Sequence, residues 1–291
     1  MHTAGPHART ALRREAPCTV ALLATEQDFA AMRRHSTFVF DDHHHYLAQT
    51  EGLLRVLAAQ GTHVVLALFD PEEFTVYCAD EGLDPDAPSA RARYTAEVAA
   101  TGPLVHYHGQ PLSEIAPLLL ASAHRRATWE SAGALLAEAA ACAHCSTRED
   151  PGASAFHRAT LALARLLEAA GPGTHHLVCS VTTDGAPLTS ALHIDNSRDE
   201  ELRLGEADAL VLTTVLAAGL ATGAPGGVVM RSIRPGARDT VRGWALHDGW
   251  LRPLTEAEVF NAYCTDAATG EPVAPEPGVD HRAGIPLAPP D

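Results

Sequence analysis

Residues 63–69, which read HVVLALF, decide the fold of the first half of the chain. Six apolar residues follow His63 and stop before Asp70-Pro71, a length typical of a buried strand rather than a helix. Asp70 is a good helix cap, and Pro71 suits the first helical position. The stretch therefore predicts a buried strand that leads directly into a helix.

The same alternation continues on both sides of this strand. We expect further strands at residues 18–24, 37–40 and 103–107, with helices between them that begin after Thr25, after Asp41 or Asp42, and after Asp70. Strands that alternate with helices imply a parallel sheet with right-handed crossovers. The expected fold of this half is an α/β parallel-sheet (Rossmann-like) N-terminal domain.

The second half shows hairpins instead of crossovers. Residues 175–183 and 187–195 flank Asp184-Gly185-Ala186, and a second pair of strands is expected at 228–233 and 240–246. Helices are expected around them, which predicts an α+β C-terminal domain. The predicted organisation is a flexible arm at 1–17, the α/β domain at 18–147, the α+β domain at 152–266 and a proline-rich irregular tail at 267–291.

The basic residues of the chain are all arginine. There are 21 of them and no lysine among 291 residues, and the formal charge is −15. Codon bias explains the missing lysine, yet its absence excludes a P-loop, a Schiff-base enzyme and a phospho-receiver site. The acidic balance argues against general nucleic-acid binding, which needs clustered positive charge. No strand leads into a glycine-rich turn, so no nucleotide-phosphate cofactor is expected.

A ligand of a parallel sheet binds beyond the carboxyl ends of its strands. The candidate binding residues at that edge are Asp41, Asp42, His43, Asp70, His106 and His108. A set of Asp and His side chains can bind a divalent metal and activate a water molecule. Asp42 and Asp70 are equally well explained as helix caps, and both interpretations remain open.

Two further motifs contain metal-ligand residue types. Cys142-Ala-His-Cys145 has the Cys-x2-Cys spacing of half a zinc site, but it lacks a second pair, so Cys142 and Cys145 are weak metal candidates. His193-Ile-Asp195 ends a predicted strand and offers two ligand types on one face. A histidine that is hydrogen-bonded within the fold, or one that is simply exposed, explains the motif as well.

The cysteine pattern and the apolar segments bear on location. The six cysteines are scattered, unlike those of small secreted domains, and residues 1–17 contain no apolar segment of a signal peptide. Residues 209–230 carry no charge, but Gly-Ala-Pro-Gly-Gly at 223–227 interrupts them. We therefore expect a cytoplasmic protein without a membrane-spanning segment.

Two families resemble parts of the chain. The order His35-Ser-Thr-Phe-Val-Phe-Asp41, a helix, a strand ending in Phe69-Asp70-Pro71-Glu72, another helix and Gly102-Pro-Leu-Val-His106 resembles the MEDS sensory domain of bacterial regulators. That resemblance covers about a third of the chain and implies a ligand-sensing, non-catalytic role. The second half, with Asp184-Gly-Ala-Pro-Leu188 in its first hairpin, is similar to roadblock/profilin-like domains. That similarity implies a protein partner or a homodimer formed through the C-terminal domain.

The sequence thus supports two functions and does not decide whether the chain is an enzyme. The first is a non-catalytic bacterial regulatory or sensory protein that binds a small ligand or a protein partner. The alternative is a metal-dependent hydrolase or lyase whose Asp/His site lies at the edge of the N-terminal sheet, with a divalent metal as its cofactor.

Overall fold

The chain divides into two compact units, residues 1–124 and 125–291. The computed structural model describes residues 18–143, 151–197, 202–266 and 269–290. The predicted flexible arm at 1–17 and Cys145 lie outside the described residues, as does the side chain of Cys142. The domain boundaries predicted from the sequence stay a prediction.

The first unit contains a three-stranded sheet with order β1-β2-β3. In chain order its elements are β1 (Cys18–Leu22), α1 (Glu26–Met32), α2 (His43–Ala59), β2 (Val64–Leu68), α3 (Pro71–Asp80), α4 (Pro88–Thr101), β3 (Leu104–His106) and the start of α5 (Leu112–Ala143). The first four residues of β2 are buried, as HVVLALF predicts. The predicted caps are confirmed, because Thr25, Asp42 and Asp70 each accept a backbone N–H bond in the first turn of α1, α2 and α3.

The predicted Rossmann-like parallel sheet is wrong. β1 and β2 are parallel, but β3 pairs with β2 in the antiparallel direction, so the sheet is mixed. Two helices, α3 and α4, separate β2 from β3. Two helices, α1 and α2, also separate β1 from β2, which are parallel, so the number of intervening helices does not set the direction of β3. Alternation of strands and helices therefore does not by itself determine strand direction.

The strand expected at residues 37–40 is also absent. Phe38 and Phe40 instead pack against the first two helices, with Phe38 5.5 Å from Phe29 and Phe40 5.1 Å from Tyr46 between ring centroids. Aromatic residues are common in strands because they pack well on a half-buried surface. Here a loop achieves the same packing, so the aromatic composition of residues 37–40 did not distinguish a strand from a loop.

The second unit contains a seven-stranded sheet with order β10-β8-β7-β4-β5-β6, in which β9 pairs with β8. Its elements after α5 are α6 (Pro151–Ala170), β4 (Gly173–Val181), β5 (Leu188–Asn196), β6 (Arg203–Leu204), α7 (Glu206–Thr222), β7 (Gly226–Ile233), β8 (Asp239–His247), β9 (Trp250–Pro253), α8 (Glu256–Tyr263) and β10 (Val279–His281). Both predicted hairpins, β4–β5 and β7–β8, are present. All pairings are antiparallel except that of β10 with β8.

One face of this sheet is buried and the other is exposed along β4 and β5. In β4, Leu177, Cys179 and Val181 are buried, whereas His176, Val178 and Ser180 between them are exposed. The buried face packs in one core with α6 and α7, and α7 is buried on all sides from Val211 to Leu220. No described helix is long and apolar enough to cross a membrane.

The proline-rich tail takes part in the core of the second unit. It contributes strand β10, and Val279 and Leu287 are buried. The indole N–H of Trp244 donates to the carbonyl oxygen of Ile285 at 2.8 Å, and that of Trp250 donates to the carbonyl oxygen of Leu287 at 3.1 Å. The tail therefore supplies hydrogen-bond acceptors to two indoles that the sheet leaves without a partner.

Candidate ligand-binding site

The two predicted aspartates with helix positions act as caps. An Asp42 carboxylate oxygen accepts from the His45 N–H at 2.7 Å, and Asp70 accepts from the N–H groups of Glu72 and Glu73 at 2.8 and 3.1 Å. Asp41 is exposed beside Asp42. These bonds satisfy the free N–H groups of α2 and α3 and account for both capping residues.

His106 and His108 lie at the other end of the sheet from Asp70. His106 pairs with Val65 at the start of β2, five residues before Asp70. At 3.3 Å per residue the two are separated by about 16 Å along the strand, too far for one ion with ligands at about 2 Å. His106 instead contacts His63, with 2.9 Å between Nδ1 and Nε2. The six predicted binding residues therefore do not form one site.

His43 is the predicted residue that does contact the carboxyl edge of the parallel strands. Its Nε2 lies 2.9 Å from the carbonyl oxygen of Leu23, the residue after β1, and the N–H of Leu23 donates to the hydroxyl of Tyr46 at 3.2 Å. Burial raises the pKa of Tyr46, so its hydroxyl stays neutral. Both backbone groups of Leu23 are thus satisfied by side chains of α2, which holds the end of β1 in place.

A cavity of about 150 Å³ lies beside Leu23, at the carboxyl ends of β1 and β2. Its lining combines apolar and aromatic side chains with two polar ones from α4, and consists of Ala21, Leu23, Met32, Phe38, Tyr46, Phe69, Arg91 and Thr95. Apolar cavities of about 150 Å³ accommodate a benzene-sized molecule. The position is the one at which α/β sheets bind ligands, although the sheet is mixed.

Arg91 is the charged group of this cavity. Its Nη1 donates to the Thr37 hydroxyl at 3.0 Å, and no carboxylate in the described part of the chain pairs with it. A guanidinium has five N–H donors in a planar fork that matches a carboxylate. Most of those donors remain available, so the cavity combines aromatic walls with an anion-binding group at its border.

Residues 35–41, which we call the covering loop, contribute Phe38 to the cavity. The loop is attached to Asp86, whose carboxylate accepts from the Ser36 N–H at 3.0 Å and lies 3.2 Å from the His35 ring. The Thr37 hydroxyl donates to the backbone carbonyl of Asp86. Val39, next to Phe38, is 82 % exposed. One end of the loop is therefore fixed while its apolar tip faces solvent.

Sequence reasoning found the region of the site but missed its residues. It selected polar groups after strands, whereas the cavity is lined by Phe38, Tyr46 and Phe69, which the sequence presents as ordinary core residues. For Arg91 and Thr95 the sequence indicates only that they share one face of a helix, because residues four apart lie on the same side. Nothing in the sequence placed that face of α4 against β1.

Among the described residues, no group of three or more His, Cys, Asp or Glu side chains could hold a metal ion. This holds for Asp41, Asp42, His43, Asp70, His106 and His108. Cys142 and Cys145 lie outside what the structure describes at side-chain level. The described residues that the sequence selected therefore do not assemble into the metal site that the hydrolase or lyase alternative requires.

The first unit is, by fold and site, a small mixed α/β unit with a ligand-sized cavity at its parallel strand pair. Residues 7–110 match a family model described as a domain of unknown function (DUF8829). The match covers just over a third of the chain and includes every residue that lines the cavity. No curated protein and no solved structure matches the chain. The resemblances to the MEDS and roadblock/profilin-like families stay predictions, as does a partner or homodimer formed through the C-terminal domain.

Proposed function

We propose that the first unit binds a small molecule with a compact apolar or aromatic body and one acidic group, as the sensory part of a regulatory protein. The observation that carries this proposal is the cavity beside Leu23, with aromatic walls and Arg91 at its border. The body of the ligand fills the cavity, and its carboxylate takes the free donors of Arg91.

The covering loop supports a regulatory role. Phe38 lines the cavity and the adjacent Val39 is exposed, so a ligand that contacts Phe38 also affects an exposed apolar residue. A ligand can shift the loop only by its differential affinity for the two loop states. Competition between the ligand carboxylate and Thr37 for Arg91 supplies such a difference. Among the cysteines whose side chains the structure describes, Cys18, Cys78, Cys179 and Cys264 are free thiols. Free thiols are typical of a reducing compartment, and we propose a cytoplasmic location.

The test is a titration of the full chain with benzoate, phenylacetate and isobutyrate, each followed by ligand-observed NMR and calorimetry. Benzamide is the neutral comparison for benzoate. Since a hydrogen bond to a charged group contributes about 1.5–3 kcal/mol, Arg91→Ala is expected to weaken carboxylate binding about 10- to 100-fold. Arg93→Ala, exposed on the same helix, is the matched control. Thr95→Leu fills the cavity and is expected to abolish binding of all probes.

The proposal is wrong if none of the three carboxylates binds at millimolar concentration. It is also wrong if Arg91→Ala and Arg93→Ala bind benzoate alike, since the guanidinium beside the cavity then has no role. Binding that survives Thr95→Leu would place the ligand elsewhere.

A further inference from the structure

Two histidines meet on the exposed face of the sheet in the second unit. His176 on β4 and His193 on β5 are directly opposite in the strand register, and both are exposed. Their rings lie 4.6 Å apart between centroids, and their Nδ1 atoms are separated by 3.3 Å. Both strands have neighbours on each side, which fixes the positions of the two backbones.

The separation of the two nitrogens is that of two ligands on one metal ion. Imidazole nitrogens bind Zn²⁺ at about 2.0–2.1 Å, so two of them at tetrahedral angles are about 3.3–3.4 Å apart. The histidine pair therefore needs little rearrangement to hold an ion.

The guanidinium beside the pair is itself paired with carboxylates. Arg231 on β7 lies opposite His176, but its guanidinium is bonded to both Asp239, at 2.8 Å, and Glu276, at 3.0 Å. Two carboxylates thus neutralise this guanidinium.

We propose that His176 and His193 form a binding site for a divalent transition-metal ion of the Zn²⁺ class. Imidazole ligands suit Zn²⁺, Cu²⁺ and Ni²⁺ rather than Mg²⁺ or Ca²⁺. Within the described residues the pair has no third protein ligand, so water completes the coordination. The site is separate from the cavity of the first unit and does not depend on it.

The chain contains its own comparison for this site. His63 and His106 form a second exposed histidine pair, with 2.9 Å between Nε2 and Nδ1, which is closer than two ligand nitrogens on one Zn²⁺ ion. If exposed histidine pairs bound metal unspecifically, both pairs would do so. The proposal assigns the ion to the first pair only.

The experiment is a calorimetric titration of the full chain with Zn²⁺ at neutral pH. The wild-type chain is compared with His176→Ala, His193→Ala, and the matched controls His63→Ala and His106→Ala. We expect one ion per chain with micromolar affinity. Since loss even of outer partners typically costs about 10- to 100-fold in metal affinity, loss of His176 or His193 is expected to cost at least about tenfold. The two controls should bind as the wild type does.

Two additional measurements keep the result decisive. Far-UV circular dichroism shows whether each variant is folded, and His193→Asn tests the site with a smaller perturbation of the surface. Co²⁺ in place of Zn²⁺ gives a visible spectrum that reports the geometry. Binding at millimolar concentration only, equal weakening by all four alanine variants, or weakening by His63→Ala alone would each overturn the proposal.

Discussion

Glu258 stabilises the start of α8 through a reciprocal capping box. Its carboxylate accepts from the N–H of Thr255 at 2.7 Å and from the Thr255 hydroxyl at 2.9 Å, and the Thr255 hydroxyl in turn accepts from the Glu258 N–H. The bond from the backbone N–H of Thr255, followed by those from Arg252 and from the Thr255 hydroxyl, lowers the pKa of Glu258 from 4.5 to about 2. The charged carboxylate is thus the form that the fold stabilises.

The depressed pKa sets the direction of a pH effect. The contribution of Glu258 to stability is present in full above pH 4.5 and is lost as the pH falls toward 2. We therefore expect Glu258→Gln to melt at a lower temperature than the wild type at pH 6. The difference between the two melting temperatures should disappear as the pH approaches 2. Thermal unfolding of both proteins across this range measures the effect. Glu256→Gln, in the same turn, should show no such trend, and a pH-independent difference for Glu258→Gln would contradict the assignment.

Single residues were predictable where chemistry is local. Thr25, Asp70 and Thr255 cap helices as their positions before helical stretches predict, because a cap depends only on the next three residues. Arg91 and Tyr46 are site residues because of contacts with β1 and the covering loop. Such contacts join segments 20 or more residues apart, and one sequence does not contain that information.

At the scale of elements, the covering loop depends on Asp86. Asp86→Ala removes the acceptor for the Ser36 N–H and the contact with His35, at 3.0 and 3.2 Å. Since a hydrogen bond to a charged group contributes about 1.5–3 kcal/mol, amide exchange in residues 35–41 should become about tenfold faster or more. Hydrogen–deuterium exchange with mass spectrometry measures this change.

Two variants make the loop experiment specific. Asp80→Ala, which is exposed at the end of α3, is the control and should leave exchange in residues 35–41 unchanged. Asp86→Asn keeps an acceptor oxygen and should fall between the wild type and Asp86→Ala. Protection of the loop that is the same in all four proteins would show that Asp86 does not hold it.

The types of the elements followed from the sequence, but their directions did not. A hydrophobic run identifies each of β1 and β2, and the strand segments on either side of Asp184-Gly185-Ala186 identify β4 and β5 as a hairpin. The direction of β3 depends on how α3 and α4 return the chain, and its three residues carry no pattern that distinguishes parallel from antiparallel pairing. The parallel sheet was therefore an extrapolation from alternation alone.

For the whole molecule, the tryptophans provide a selective probe. Trp129, Trp244 and Trp250 all lie within residues 125–291, so tryptophan emission reports on the second unit. Trp244 is 1 % exposed, and both Trp244 and Trp250 donate to carbonyl groups of the tail. The fluorescence of the chain should therefore respond to changes in residues 279–291.

Deleting residues 279–291 removes β10, the buried side chains of Val279 and Leu287, and both indole acceptors. Burial of each apolar side chain contributes about 1.5–3 kcal/mol, and each indole is left with an unsatisfied donor. The two side chains alone predict that the second unit loses about 3–6 kcal/mol of unfolding free energy, and its tryptophan emission should shift to longer wavelength. Urea denaturation followed by fluorescence measures both.

Leu287→Ala, with an expected loss of about 2–3 kcal/mol, tests the same contact if the truncated chain does not fold. Val273→Ala, 48 % exposed in the same tail, is its control, and equal stability of these two variants would show that Leu287 is not part of the core.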